Sequence, residues 1–175
     1  MTAHITMNEE QFVKMYREYA PQLFKYCYFR VSSREEAEDL SSQVFMKAWD
    51  YVAKGAAIDN MRALLYRIAH NLVVDFYKSA KRTREVPLEA KDGTTIDVPD
   101  DASIVEDLEH RALVADVRTS IDQLPEQYRD IIIMRYVNDL SIEEIADALE
   151  TTANNVSVRL HRATERLKTL TGSVA

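Results

Sequence analysis

Two stretches of this chain carry side chains whose types and spacing suit work on a polyanion. Between Arg62 and Arg84 there are six Lys or Arg and one acid, Asp75. At helical spacing Arg67, Asn71, Val74, Lys78 and Lys81 form one stripe, and Tyr66, His70, Val73 and Tyr77 form another beside it. Cations hold a phosphate backbone and flat rings stack on unpaired bases, so the two stripes predict contact with a separated nucleic-acid strand. The structural alternative is a solvated basic face, with Tyr66 and Tyr77 covering the edge of a core. Near the C-terminus, Asn154, Asn155, Ser157, Val158, Arg162 and, at the flank, Arg159 offer amides, a hydroxyl and guanidinium groups to base edges and phosphates. A capped helical hairpin with a charged outer face is the plainer alternative there.

The elements that must position these residues are helices. Ser141 with Glu144 has the spacing of a capping box, and Ile142, Ile145, Ala146 and Leu149 fall on one face of the helix it opens. Thr151 or Thr152 can cap a second helix bearing Val156, Leu160, Ala163 and Leu167, giving a helix-turn-helix. Upstream, Asn8 with Gln11 opens a helix that Pro21 is expected to interrupt before the chain resumes over 23–31. Ser33 with Glu36 opens a second helix, with Ala37, Leu40, Val44, Ala48 and Val52 inward and Gly55 at its end. Asp59 is the expected cap of a third helix, running to about Arg82, whose inward residues are Met61, Leu65, Ile68, Leu72 and Phe76. From about Ser103 the helical pattern returns with Leu113, Val117, Ile121 and Leu124, followed by a helix from Pro125 with Tyr128, Ile131, Ile132 and Tyr136 inward.

Three Gly and four Pro among 175 residues, with 46% hydrophobic residues, favour long helices around ordinary cores: an all-α protein of two small helical domains. The net charge of −7 argues against a nucleic-acid partner until its distribution is counted. Lys and Arg number 12 against 10 acids in residues 1–82, 2 against 9 in 83–109, and 8 against 10 in 110–175. The segment 83–109 has no helical period and contains Pro87, Gly93 and Pro99, so it reads as an acidic flexible linker between domains 1–82 and 110–175. The single Cys27 lies in an aromatic run and is expected to be a buried thiol. The first residues lack a basic start and an apolar core, and no stretch has the length of a membrane span, which predicts a cytoplasmic protein. Four scattered His without ligand-spaced partners and the lack of a Gly-rich phosphate loop argue against an enzyme, a metal site or a cofactor.

Two blocks in this order resemble the extracytoplasmic-function (ECF) group of the bacterial sigma-70 family of RNA polymerase sigma factors. The first comprises the runs 37–49 (Ala37-Glu-Asp-Leu-Ser-Ser-Gln-Val-Phe-Met-Lys-Ala-Trp) and 62–75 (Arg62-Ala-Leu-Leu-Tyr-Arg-Ile-Ala-His-Asn-Leu-Val-Val-Asp). The second comprises Leu124-Pro-Glu-Gln-Tyr-Arg, Leu140-Ser-Ile-Glu-Glu-Ile-Ala and Val158-Arg-Leu-His-Arg-Ala. The resemblance covers nearly the whole chain. It implies a promoter-specificity subunit that joins core RNA polymerase, opens promoter DNA at the minus-ten element through its N-terminal domain and reads the minus-thirty-five element through its helix-turn-helix. By the same resemblance Asp39, Ser42, Gln43 and Met46 dock on polymerase, and the loop 54–60, with Lys54 and Asn60 at its ends, receives a flipped base. Arg62, Arg67, His70, Asn71 and Lys78 hold the separated strand, and the linker threads toward the polymerase cleft. The chain departs from relatives at Ser42-Gln43, where Gln then Glu is usual, at His70, where Arg is usual, and at Glu150, where Gly is common at the turn. An anti-sigma factor is the implied regulator. Two other readings remain: a sigma-like decoy that binds an anti-sigma factor, and a stand-alone helix-turn-helix regulator dimerising on a palindrome.

Overall fold

Capping residues set the helix starts. The computed structural model describes residues 7–31, 33–83 and 115–172, and each regular element among them is helical. Helix α1 (Glu9–Arg30) opens on a full capping box: Asn8 Oδ1 accepts from the Gln11 N–H at 2.8 Å, and Gln11 Oε1 accepts from the Asn8 N–H at 3.0 Å. The expected break at Pro21 does not occur, and α1 is one helix. Pro21 lies on the solvent side, while Met15 on one side of it and Leu23, Tyr26 and Cys27 on the other are buried. That burial outweighs the roughly 3 kcal/mol cost of an interior proline.

Helix α2 (Arg34–Ala53) starts where Ser33 Oγ accepts from the Glu36 N–H, and its buried stripe is Ala37, Leu40, Ser41, Val44, Phe45 and Ala48. It ends in paired bonds from the Gly55 N–H to the Val52 carbonyl and from the Ala56 N–H to the Tyr51 carbonyl, with Gly55 at φ 69°. This is the left-handed stop that glycine adopts without a Cβ clash. Helix α3 (Met61–Thr83) is capped by Asn60 rather than by the expected Asp59: Asn60 Oδ1 accepts from the Ala63 N–H at 3.0 Å. Starting one residue later seats Leu64, Leu65, Ile68 and Leu72 in the core, with Ile58 of the loop buried beside them.

The C-terminal unit contains α4 (described over 115–122), α5 (Glu126–Ile132), a π turn (Ile133–Val137), α6 (Ile142–Ala148) and α7 (Ala153–Gly172). The π turn is a departure from the expected pattern. The Asn138 N–H reaches back five residues to the Ile133 carbonyl, so Ile133 and Met134 are buried and Tyr136, expected inward, is 59% exposed. Ile121 and Leu124 are buried as expected, whereas Val117 is exposed. The acidic segment, the onset of α4 near Ser103, and Leu113 lie outside the described residues. So does the end of the Thr171–Ala175 tail, where fraying is expected; α7 itself runs through Thr171 to Gly172.

Helix α6 opens on the predicted box, Ser141 Oγ accepting from the Glu144 N–H and Glu144 Oε2 from the Ser141 N–H, and Thr152 Oγ1 caps α7 through the Asn155 N–H. Between them the Glu150 N–H bonds the Asp147 carbonyl and the Thr151 N–H the Ala146 carbonyl, the same stop that closes α2. Here the left-handed residue is Glu150, at φ 53°. Its Cβ meets the steric cost that Gly55 avoids. Buried residues of α1 to α3 and of α4 to α7 form one connected cluster, with α6 lying against α3. We expect Glu150→Gly to raise stability by about 0.5–1 kcal/mol, net of the added freedom of the unfolded chain, seen as a higher urea midpoint with unchanged slope.

Candidate nucleic-acid interface

The two stripes of α3 meet different fates. Tyr66 and Val73 are fully buried, the Tyr66 ring sits edge-on to Tyr26 at 5.7 Å, and the Tyr77 hydroxyl donates to the Arg30 carbonyl. Burial pushes the Tyr66 hydroxyl well above its ordinary pKa. The aromatic stripe is therefore part of the core and of the contact between units, not a stacking platform for bases. The basic stripe is at the surface. Lys54, Arg67 and Asn71, with Lys47, Tyr51 and Asp75, line a groove of about 350 Å³ between α2 and α3, and Asn71 and Lys78 are exposed. The Lys81 side chain lies outside the described residues.

Three of the predicted strand contacts are engaged by the C-terminal unit. Arg62 Nη1 lies 3.3 Å from Glu144 Oε2, and its Nη2 donates to the Asn138 carbonyl. Arg67 Nη2 donates to both the carbonyl and Oδ1 of Asp147 at 3.2 Å. His70 Nδ1 lies 3.3 Å from Asp130 Oδ2. The Asn138 side-chain amide in turn donates to the Gln22 carbonyl at 3.0 Å, tying the π turn to α1.

Asp130 is the centre of this contact. Its Oδ1 accepts from the Tyr26 hydroxyl at 3.0 Å and lies 2.8 Å from Arg30 Nε, an ion pair in which the N–H is not aimed squarely at the oxygen. Burial works to raise the carboxyl pKa, but the His70 imidazole 3.3 Å away, the Arg30 charge and the Tyr26 hydroxyl outweigh it and hold Asp130 below the ordinary carboxylate range. The same surroundings push the Tyr26 hydroxyl well upward, by burial first and the Asp130 charge second. Burial likewise pushes the Cys27 thiol up to about 12, so this buried cysteine stays protonated.

The other predicted residues face solvent. Asp39, Ser42, Gln43 and Met46 lie exposed along α2, Met46 at 68%, beside Trp49 and Tyr16, whose rings are fixed edge-on against Phe12 and Phe45. On α7, Asn154, Asn155, Ser157, Val158 and Arg162 are exposed, while Arg159 donates to the Gln127 carbonyl at 2.8 Å and is held at the edge of that face. The buried side of α7, at Val156 and Ala163, packs on α5 and α6. Sequence reasoning missed Arg30, Asp130 and Asn138. A signal was present: Arg30 is in phase with Leu23, Tyr26 and Cys27, and Asp130 with Ile133 and Met134, so one cation and one acid stand in apolar stripes. Among the described residues no cluster of His, Cys, Asp or Glu could hold a metal ion, and no helix is long and apolar enough to cross a membrane.

A three-helix unit with a basic groove and a helix-turn-helix with a polar outer face together define a two-part, DNA-directed helical protein. Residues 15–83 match the family model described as Sigma-70 region 2, and residues 115–167 that of Sigma-70, region 4. The chain is 33% identical over 159 residues to the ECF RNA polymerase sigma factor SigD of Mycobacterium tuberculosis, covering 85% of this chain and 71% of that protein. It is 27% identical over 168 residues to the ECF RNA polymerase sigma factor SigW of Bacillus subtilis, covering 92% and 89%. In fold it is similar to CnrH, solved in complex with the cytosolic domain of CnrY, with a TM-score of 0.73 at 18% identity over 96% of this chain and 92% of that one. It is similar also to the sigma factor RpoE of Bartonella quintana, solved with the anti-sigma factor NepR, with a TM-score of 0.70 at 23% identity over 93% and 98%. The chain belongs to the ECF sigma factors of the sigma-70 family, the transcription-initiation subunits that bind core RNA polymerase and direct it to promoters.

Asp130→Asn leaves the Arg30 side chain, 1% exposed, without its neutralising partner, and we expect a loss of about 3–5 kcal/mol in chemical denaturation. Because the folded carboxyl pKa is lowered, its stabilisation is fully present above the unfolded value of about 3.9 and disappears as pH falls through the lower folded value. The variant should therefore show a shallower acid limb in stability measured from neutral pH downward.

Proposed function

We propose that the exposed faces of the chain divide the work of promoter recognition. The α2 face of Asp39, Ser42, Gln43 and Met46 docks on core polymerase. The loop 54–60, with Lys54 and Asn60, and the α3 residues Arg62, Arg67, His70, Asn71 and Lys78 take the minus-ten strand. Asn154, Asn155, Ser157, Val158, Arg159 and Arg162 read the minus-thirty-five element. On this reading residues 1–82 and 110–175 are the two sigma domains and 83–109 is the acidic linker that enters the polymerase cleft. The chain acts in the cytoplasm as a specificity subunit, not as an enzyme. An anti-sigma factor is the proposed regulator, in keeping with the bound partners of CnrH and RpoE.

The observation that carries this reading is the outer face of α7, where amides, a hydroxyl and Arg162 stand exposed at the start of a capped second helix whose opposite side is buried. An adenine pairs with an Asn amide through two hydrogen bonds, so Asn154-Asn155 favours an adenine in the upstream element.

In-vitro transcription with purified core polymerase on a genomic fragment library should give discrete start sites that share an upstream element. Asn154→Ala or Asn155→Ala should relax preference at one base position by about 1–3 kcal/mol. An absence of start sites together with no polymerase complex on gel filtration would overturn the reading.

A further inference from the structure

Two of the cations assigned to the minus-ten strand, Arg62 and Arg67, already have partners within the chain, and those partners offer the chemistry of a nucleic-acid backbone. Arg62 meets the Glu144 carboxylate and the Asn138 carbonyl, and Arg67 meets the Asp147 carboxylate and carbonyl. Glu144 and Asp147 are one turn apart on α6 and project toward α3 as two anionic oxygen groups in a row. A guanidinium donates to carboxylate and phosphate oxygens with the same fork, so each Arg can serve one of these acceptors or the other.

We propose that α6 is an internal competitor of single-stranded DNA: in the free chain the helix-turn-helix unit is latched on α3, its acids fill the places of strand phosphates, and the strand enters only when the latch opens. The inference rests on the strand-binding role of Arg62 and Arg67 proposed above. The latch has two strengths. At its centre Asp130 is buried with Arg30 and Tyr26, whereas the Arg62 and Arg67 side chains are 24% and 31% exposed in their ion pairs. Partly exposed pairs are weaker than a buried one and screened by salt, so a competing polyanion displaces them first and the buried centre parts after them. The latch leaves the outer face of α7 in solvent. The free chain is thus closed toward the separated strand and open toward an upstream duplex.

The test uses the full chain labelled for energy transfer at Glu35→Cys and Arg166→Cys, both exposed, with Cys27 buried and inert to labelling. Glu144→Gln/Asp147→Asn removes both charges, and the amide oxygen introduced by Glu144→Gln still accepts the capping bond from the Ser141 N–H, so the variant folds. We expect high transfer in the parent chain, a fall on adding a mixed-sequence single-stranded DNA pool, lower transfer in the double variant without DNA, and roughly three- to tenfold tighter strand binding by that variant. Glu143→Gln, on the exposed side of the same helix, controls for net charge and should leave both readouts unchanged. Equal transfer in the parent and the double variant, equal strand affinity, or an equal gain from Glu143→Gln would each overturn the proposal. The strand role itself is read separately, from loss of promoter opening by polymerase carrying Arg67→Ala. That loss alongside equal strand affinities would sink the latch and leave the strand assignment standing.

Discussion

The carboxylate of Asp130 is out of water and still ionised, which is possible only while Tyr26, Arg30 and His70 surround it. Those partners come from α1 and α3, and the acid comes from α5, so the solvation requirement of one side chain fixes three helices relative to one another. Arg30 is equally dependent: its guanidinium is buried at the end of α1, with Glu126 3.9 Å away as the next nearest acid. An apolar contact between the same helices could slide by a fraction of a turn at modest cost. A buried ion pair cannot, because each displaced partner leaves a charge without a counter-ion. The helix-turn-helix is located on the N-terminal unit by this constraint.

Around that fixed point the surface is divided unevenly. Among the described residues Asp39, Ser42, Gln43 and Met46 of α2 and Asn154, Asn155, Ser157, Val158 and Arg162 of α7 face solvent, whereas α3 gives Arg62, Arg67 and His70 to α5 and α6. The division follows from charge. The acids available to neutralise the α3 cations lie on α5 and α6, and bringing them together satisfies both units. Part of the positive charge of α3 is stored against the chain's own acids.

Much of this architecture was legible in the residues. The caps at Asn8, Ser33, Ser141 and Thr152, the stop at Gly55 and the buried stripes of α2 and α3 all follow from local hydrogen-bonding capacity and period. Apart from the cap at Asn60 and the π turn, which are local, the failures share one cause, which is contact between parts distant in sequence. Pro21 reads as a break until the packing on both sides of it is known. Tyr66 and Tyr77 read as a stacking surface because a single helix does not reveal that α1 will pack on it. Arg62, Arg67 and His70 are recognisable as polar residues of α3 beside its buried stripe, but their partners lie some sixty to eighty residues away and no period connects them. The α7 face was legible because it depends only on its own helix and the turn before it.

The π turn at Ile133–Val137 bears on how this chain can vary over time. One additional residue per turn puts the segment before it and the segment after it out of angular phase, and Asn138 stands just past the change, where its carbonyl serves Arg62 and its amide serves Gln22. Removing any one residue between Pro125 and Asn138 would restore ordinary helical winding and rotate Asn138 by about 100° away from both contacts. Away from Asp130 and Asn138, side-chain exchange in this segment is tolerable wherever volume is kept, but a change of length is not. The chain between the two units' contact points is counted to the residue, and drift in this family member should run through substitution there and through insertion elsewhere.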